Sequence, residues 1–567
     1  MSQVGHEWAV LPGDRPDTTY DASAGATGVP PEDRQGHRMN HRRSRRVPAS
    51  AGLTALALTA AVSGCAFSPS STPSTSPIRG SGDMVTATGE QASVSSAALT
   101  GAARRPNVLL ITADDAAPGD LRFMPHTREL IADRGVTFTN GVAPTPICVP
   151  ARASLLTGQY THNHKAYTIE GKGGGYTSFD SRNTLPTWLR RSGYDTLFIG
   201  KYLNGYGDAG TGTARKIEPG WTQWRPTVGG STYNFMNPTL NINGRLVGYH
   251  QYNSNLFADQ TVDLLGRSQR KRKPWFMWVN YVAPHHGGPL DADDPQLRYP
   301  RNPASWVKTT KPAPRDRNRF RDLRLPQDPN MFRRVRHGWD NGAPMSLLKR
   351  RNIREAYQQR IEALQSVDRG VARSVAALRR TGQLRNTVVM FTSDNGFLVG
   401  QHNRFGKLYS YNDSQRIPVV MSGPGVPRGK RVRTAVTNPD IAVTIAALAR
   451  AKPGRRVDGI DFMPLLRMGY RGRVVPTEAY PVHGGTRPVY TGIREGTWTY
   501  TRLRRDGVRR EELYNRATDP YELHNLAGNT RYAAELARFR ALDRRYRDCA
   551  GATCPKAVYL PGDPPAG

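Results

Sequence analysis

Asn107-Val108-Leu109-Leu110-Ile111-Thr112-Ala113-Asp114-Asp115 is a short apolar run that ends in two carboxylates. A strand with one wet face would alternate apolar and polar residues; this one does not, so it reads as a strand buried on both faces, the kind parallel sheets use. Similar runs recur at residues 195–199 (DTLFI), 275–281 (WFMWVNY), 387–392 (TVVMFT) and 417–421 (IPVVM). Between them lie helix-like stretches at 126–134, 256–267, 354–380 and 439–450. Strands alternating with helices predict an α/β fold with a mainly parallel sheet, and ligands then belong outside the carboxyl ends of its strands. From about residue 491 the pattern changes to short alternating segments and a closing helix over 533–546. We therefore expect a large domain over 106–485 and a small antiparallel subdomain over 486–567.

The chain has 567 residues, enough for such a pair. Hydrophobic residues make up 37% and the mean hydropathy is −0.59. No run of about 18 uninterrupted apolar residues exists, which excludes a polytopic membrane protein. Lysine and arginine number 80 against 46 acids, a net charge of +34. Such a field favours polyanions, either nucleic acid, an anionic membrane or sulfated and phosphorylated polymers, unless it is an arginine-rich solvated surface. No nucleic-acid recognition module is visible, and no Gly-rich loop ending in Gly-Lys-Ser/Thr, which argues against an NTPase. Residues 297–351 are irregular and Pro-rich, with fifteen basic and four acidic residues. A loop of that length reads as a surface insertion near a substrate mouth.

Residues 1–38 are a polar extension without apolar periodicity, and translation from Met39 would omit them. Over 39–65 a basic segment (His41-Arg42-Arg43-Ser44-Arg45-Arg46) precedes an apolar run of about 12 residues, then Val62-Ser63-Gly64-Cys65. That is the order of an export signal. Its last four residues resemble a bacterial lipobox, which implies lipidation of Cys65 and anchoring to a membrane; an ordinary cleaved signal is the alternative. Residues 66–105 are Ser/Thr/Pro/Gly-rich and too poor in large apolar groups to fold, so they read as a tether. In an exported chain, Cys549 and Cys554 are close enough to close a small loop, which leaves Cys148 over. A leftover cysteine in such a chain signals intermolecular pairing or special chemistry.

Cys148 lies in Pro146-Ile147-Cys148-Val149-Pro150-Ala151-Arg152-Ala153-Ser154-Leu155-Leu156-Thr157-Gly158. The prolines followed by an amphipathic run put it at a helix N-terminus, where oriented amides favour an anion. Cys-x-Pro-x-Arg followed by Leu-Leu-Thr-Gly resembles the formylglycine motif of type I sulfatases, with Val149 and Ala151 standing where a small residue and a serine are usual. The resemblance extends over about 106–526. It implies an alkaline-phosphatase-like sandwich and the oxidation of Cys148 to 3-oxoalanine (formylglycine) by a formylglycine-generating enzyme. Thr112-Ala113-Asp114-Asp115 and Thr392-Ser393-Asp394-Asn395-Gly396 each close an apolar strand. Three carboxylates and an amide oxygen form a hard site suited to Ca²⁺, less so Mg²⁺. The family's pattern assigns that ion to Asp114, Asp115, Asp394, Asn395 and Cys148.

The same resemblance gives Lys201, in Gly200-Lys201-Tyr202-Leu203-Asn204, a sulfate oxygen. It gives His285 of Ala283-Pro284-His285 a catalytic place, with His286 beside it as an alternative, and makes Lys407 the second lysine. Arg152 would complete the catalytic set, and His402 and Asn204 would contact substrate. Many arylsulfatases carry Lys-x-His where this chain has Lys201-Tyr202-Leu203, so the acid that protonates the leaving alcohol is to be sought in His285, Lys407 or the neighbours of Asn204. Gly200 to Tyr206, Tyr160-Thr161-His162-Asn163-His164 and Pro219-Gly220-Trp221 are similar to N-acetylglucosamine-6-sulfatases and heparan 6-O-endosulfatases. The resemblance implies hydrolysis of a sulfated sugar or glycan in the cell envelope or outside it. In it a hydrated aldehyde attacks sulfur with one hydroxyl and expels sulfate with the other, without nucleic acid as a partner. Alternatives are a phosphonate monoester or phosphodiester hydrolase using the same modified cysteine, and a non-catalytic lipoprotein that binds acidic glycans.

Overall fold

The structure is a computed structural model that describes residues 105–560 apart from 268–272, 337, 339–342 and 506–507. The extension, the leader with Cys65 and the tether expected before residue 105 lie outside the described residues.

A nine-stranded sheet forms the centre. In chain order its strands are β1 (Asn107–Ala113), β2 (Val136–Val142), β3 (Asp195–Gly200), β4 (Gln223–Pro226), β5 (Trp275–Tyr281), β6 (Thr387–Ser393), β7 (Arg416–Ser422), β8 (Lys430–Val432) and β9 (Val436–Thr437). Their spatial order is β8-β2-β7-β6-β1-β5-β3-β4, with β9 also on β2. The block β6-β1-β5-β3-β4 is wholly parallel. β1, β5 and β6 are buried along their whole length. Alternate residues of β1 serve opposite faces, as the two-residue period requires: Val108 and Leu110 enter one core, Leu109 and Ile111 the other. The first core is closed by α1 (Cys148–Thr157), α2 (Leu185–Arg191) and α5 (Asn438–Leu448), the second by α3 (Asn253–Gly266) and the 34-residue α4 (Leu347–Arg380). The result is a three-layer sandwich.

Residues 417–421 correct one expectation. They form a buried strand, β7, but it runs antiparallel to both β2 and β6. Burial on both faces sets its composition and carries no information on direction. The 126–134 stretch breaks into a short α turn, Pro125–Thr127, and a π turn, Arg128–Ala132. β2, with sequence VTFTNGV, is too polar to read as a buried run.

A second sheet of four antiparallel strands has the order β10 (Val474–Ala479), β11 (Tyr490–Glu495), β12 (Trp498–Arg505) and β13 (Val508–Asn515), with α6 (Ala533–Tyr546) packed on it. It begins at Val474, before the change of pattern at residue 491. Pro476 is tolerated because β10 is an edge strand of this sheet. Cys549 and Cys554 are joined by a disulfide.

His162 ties the segment after α1 to both ends of this region. Its Nδ1 is 3.0 Å from Glu478 Oε1, and its Nε2 is 2.7 Å from the carbonyl of Cys549. Burial opposes a charged ring here, but Glu478 outweighs it and holds His162 up at about 9, from an ordinary 6.5. The contribution to stability is therefore complete below the unfolded value and is lost as pH rises through about 9. A shift of this size corresponds to about 3 kcal/mol. Denaturant unfolding of wild type and His162→Gln should show the variant's deficit shrinking by about that much between about pH 6 and about pH 10. A deficit that stays constant with pH would show that the ion pair contributes nothing.

Candidate active site

The parallel block brings chemistry to one edge because its strands end level. Ala113 is in register with Tyr281 and with Ser393, and Gly200 with Asn280. The residues that leave these strands therefore meet: Asp114 and Asp115 after β1, Asp394 and Asn395 after β6, Lys201 after β3, and His285 beyond β5. Asp115 turns the chain at φ 71°, a conformation unusual outside glycine that an Asp side chain tolerates.

α1 supplies the rest. Cys148 is its first residue and Arg152, four positions on, lies on the same face. Gly158 ends the helix in the left-handed conformation, φ 66°, where a β-carbon would also press on Val443 and Val457. Lys407 arrives on a turn pinned by the amide of Leu408 donating to the carbonyl of Pro146, 3.1 Å.

The cluster is closed to solvent: Cys148, Asp114, Asp115, Asp394, Asn395 and His285 are each fully buried. Cys148 Sγ lies 2.8 Å from Lys407 Nζ, 3.5 Å from Lys201 Nζ and 3.8 Å from Asp114 Oδ1. Lys201 pairs with Asp114, and Lys407 with Asp115. Arg152 donates from Nε to Asp394 Oδ2 at 3.0 Å and from Nη1 to the Lys201 carbonyl and Asn280 Oδ1. Asp394 Oδ1 accepts the amides of Asp115 and Asn395, 3.1 and 3.0 Å. Asn395 Nδ2 donates to Asp115 Oδ1 at 2.7 Å. Three carboxylates thus face three permanent cations. Burial works against each cation, but the carboxylates keep Lys201, Lys407 and Arg152 above their ordinary pKa. Burial pushes the Cys148 thiol up to about 11 despite Lys201 and Lys407. The unmodified side chain is a protonated thiol, and a thiol is a poor nucleophile beside a thiolate.

Oxygens of Asp114, Asp115 and Asp394 lie within 4.8 Å of one another. Asn395 Oδ1 is buried with no hydrogen-bond partner among the described residues. That orphaned oxygen beside three carboxylates fits a hard divalent cation. Asp114, Cys148 and His285 also lie within 4.8 Å, but a thiol sulfur is a soft ligand, so the all-oxygen set is the better site for a hard cation.

His285 Nε2 is 3.9 Å from Asp115 Oδ2, and its Nδ1 bonds to the His286 carbonyl at 2.8 Å. His286 stacks behind it, ring centroids 4.0 Å apart. Asn204 Nδ2 donates to the hydroxyl of Tyr233 at 3.0 Å. His402 stands differently: it is stacked on Tyr411 at 3.9 Å and within 3.3 Å of Asn330 Nδ2. The basic insertion reaches the same stretch, where the amide of Phe332 donates to Gly400 O and that of His402 to Asn330 O.

Three further participants are not apparent from the sequence. Asn280 Oδ1 accepts from both Arg152 and Thr112; an asparagine inside WFMWVNY is the one signal of it. Arg360 of α4, buried from the opposite face of the sheet, donates to the carbonyls of Asp115 (2.7 Å) and Pro284 (3.2 Å), fixing two loops at once. Nothing marks it among the other arginines of that helix. Tyr233, in the turn Gly229–Tyr233, carries no signal either.

A family model described as Sulfatase matches residues 106–451, and one described as N-sulphoglucosamine sulphohydrolase, C-terminal, matches 400–542. The chain is 32% identical over 375 residues to the extracellular sulfatase SULF-1 homolog of Drosophila melanogaster, covering 64% of this chain and 31% of that protein. It is 28% identical over 509 residues to the N-acetylglucosamine-6-sulfatase of Capra hircus, covering 81% of this chain and 86% of the goat protein. It thus spans under a third of the first relative and most of the second. Among solved structures, that of BT4656 in complex with its substrate D-glucosamine-2-N,6-O-disulfate matches with a TM-score of 0.63 and 20% identity, over 78% of this chain and 97% of that one. At that identity the likeness establishes the fold.

Proposed function

The chain belongs to the sulfatase family, hydrolases of sulfate esters with an alkaline-phosphatase-like fold, and from that premise we propose that it removes sulfate from a sulfated sugar in the manner of an N-acetylglucosamine-6-sulfatase. The observation that carries the proposal is the setting of Cys148: a buried residue at a helix N-terminus, in reach of two lysines, an arginine-braced carboxylate cluster and a hard cation site. Oxidised to formylglycine and hydrated, residue 148 supplies two geminal hydroxyls, one to attack sulfur and one to release sulfate by restoring the aldehyde. A divalent ion, in our reading calcium, would be held by Asp114, Asp115, Asp394 and Asn395 beside residue 148, and supplies positive charge to a sulfuryl oxygen.

The chain's own residues do the remainder. Lys201 and Lys407 point their ammonium groups at the head of residue 148, where a bound sulfuryl group places its oxygens. Fixed charge aimed at the reacting group usually contributes more to such catalysis than any other single effect. Arg152 orients Asp394 and holds the Lys201 carbonyl, so its guanidinium sets the geometry from below. With three carboxylates matched by three cations, a divalent ion offsets the two charges of the sulfate product. Asn204, which follows Lys201 by three residues, would contact the sugar. The net charge of +34 suits a sulfated glycan as the natural partner. The fly relative is named an extracellular sulfatase, which supports export; the lipobox-like Val62-Ser63-Gly64-Cys65 and the motif around Cys148 are what add a lipid anchor at Cys65 and modification by a formylglycine-generating enzyme to the same reading.

The test is the mass of the peptide containing Cys148 together with sulfate release from N-acetylglucosamine 6-sulfate. An aldehyde at 148 and turnover are expected. A free thiol in every preparation would leave an acidic-glycan binder, and a faster reaction with an aryl phosphonate than with any sulfate ester would reassign the chemistry.

A further inference from the structure

The segment Asp519-Pro520-Tyr521-Glu522-Leu523-His524-Asn525-Leu526 follows the last strand of the small sheet. Two of its polar side chains fold the segment itself. Asp519 Oδ2 accepts the His524 amide at 2.8 Å, and Asn525 Oδ1 accepts the amides of Leu513 and Ala527, each at 3.0 Å, which fastens the segment to β13.

Glu522 is used differently. It is buried, and its backbone is held at φ 50°, a conformation that residues with a β-carbon seldom adopt. Such strain persists only where the surrounding contacts impose it. Here they cross to the large domain: Glu522 Oε2 accepts the amide of Asn412 at 2.7 Å, while Oε1 accepts the hydroxyl of Thr499 in β12 at 3.0 Å. Asn412 opens the short helix Asn412–Gln415. Arg494 of β11 grips both ends of that helix, donating to Asn412 Oδ1 at 2.6 Å and to Gln415 Oε1 at 3.0 Å.

The far side of the helix bears on the active site. Ser414 O accepts the amide of Gly396 at 2.9 Å, directly after Asn395. The fit is close enough that a β-carbon on Gly396 would collide with the carbonyl oxygens of Asp413, Ser414 and Arg416. Ser414 Oγ accepts the amide of Tyr409 at 3.1 Å, two residues beyond Lys407, whose ammonium lies 2.8 Å from Cys148 Sγ. Gln415 O accepts the amide of Ala143 at 2.7 Å, on the segment that leads into Cys148. One four-residue helix thus braces the backbone beside Asn395, Lys407 and Cys148, and Glu522 fixes its first amide.

We infer that Glu522 is a positioning residue through which the small subdomain holds Lys407 and the cation ligand Asn395 in place, an inference that rests on the sulfatase reading above. The carboxylate touches no reacting atom. It acts through Asn412 and Ser414, so the C-terminal subdomain is part of the catalytic apparatus.

The experiment compares wild type, Glu522→Ala, Glu522→Gln and Ser414→Ala, all carrying the modified residue 148, at a temperature below the lowest thermal midpoint of the set. Groups one step behind the ligands and catalytic side chains typically contribute about 10–100-fold to metal affinity or activity. Glu522→Ala should lose that much in kcat on N-acetylglucosamine 6-sulfate while KM moves by less than about 3-fold. It should also need about tenfold more calcium for the same rise in thermal midpoint. Glu522→Gln keeps an acceptor oxygen for the Asn412 amide but removes the charge that lies 3.8 Å from Arg516 Nη1. It should recover kcat and the calcium response to within about 3-fold of wild type while its midpoint stays as low as that of Glu522→Ala. A glutamate that served folding alone would give both variants the same deficits throughout. Ser414→Ala, which leaves Glu522 and its partners intact, should lose kcat in the same direction by less. Full kcat with an unchanged calcium response in Glu522→Ala, or deficits in Glu522→Gln equal to those of the alanine variant, would overturn the role. A wild-type chain inert towards sulfate esters despite an aldehyde at 148 would overturn the sulfatase reading instead, and the calcium titration would still decide on Glu522.

Discussion

Cys148→Ala should release no measurable sulfate, and Cys148→Ser should be nearly as inert. Loss of a nucleophile that acts with its neighbours as one unit costs on the order of 10⁴–10⁶ in kcat. Alanine has nothing with which to attack. Serine brings one hydroxyl into the same lysine pair but lacks the second hydroxyl with which to expel sulfate, so it can react at most once. Both changes are small in volume, and the thermal midpoint should move by no more than about 1–2 kcal/mol of stability allows. Single-turnover and steady-state measurements on purified variants separate the cases. Wild-type steady-state rates from Cys148→Ser would reject the two-hydroxyl mechanism, since nothing else in the cluster could take the place of the missing oxygen.

Asp394→Asn should be the next most damaging change. One oxygen of Asp394 receives two backbone amides and the other the Nε of Arg152, so the carboxylate organises both the cation site and the arginine. Breaking one partner out of a buried ion pair typically costs about 3–5 kcal/mol. Here the loss divides between folding and activity, and kcat should fall by about 10³-fold or more. Calcium gives an independent readout: a ligand at about 100 times its Kd stabilises by about 2.7 kcal/mol. Chelation of wild type should lower the thermal midpoint accordingly and abolish turnover, and added calcium should restore both. Asp394→Asn should show neither response. A calcium-dependent midpoint that survives in the variant would move the ion away from these oxygens.

How far the sequence foretells this site depends on how local each contact is. Cys148 and Arg152 are four residues apart on one helix, so their common face follows from the helical period. The carboxylates after β1 and β6 are legible because buried parallel strands announce themselves by composition. What composition omits is order and direction. That Lys201 meets Asp114 depends on β5 lying between β1 and β3, a property of the whole sheet. The reversed direction of β7 is invisible for the same reason. Arg360 and Tyr233 reach the site from α4 and from a turn far along the chain, where an arginine in an arginine-rich helix or a tyrosine in a polar turn is unremarkable. Lys407 and His402 share one motif-bearing stretch, yet Lys407 reaches Cys148 while His402 stacks on Tyr411, a difference of neighbours that the motif does not encode.

The complete burial of Cys148 sets an order of events for the newborn protein. On the proposed reading, a modifying enzyme must take the thiol together with the backbone on either side of it into its own active site, and in the folded chain that backbone is the first turn of α1, packed in the core. Oxidation therefore has to precede collapse of α1 onto the sheet, and a molecule that folds first is locked as a thiol for its lifetime. The active fraction of any preparation then records a race between two rates during synthesis, so slowing folding, as with a low growth temperature, should raise specific activity without changing the yield of soluble protein.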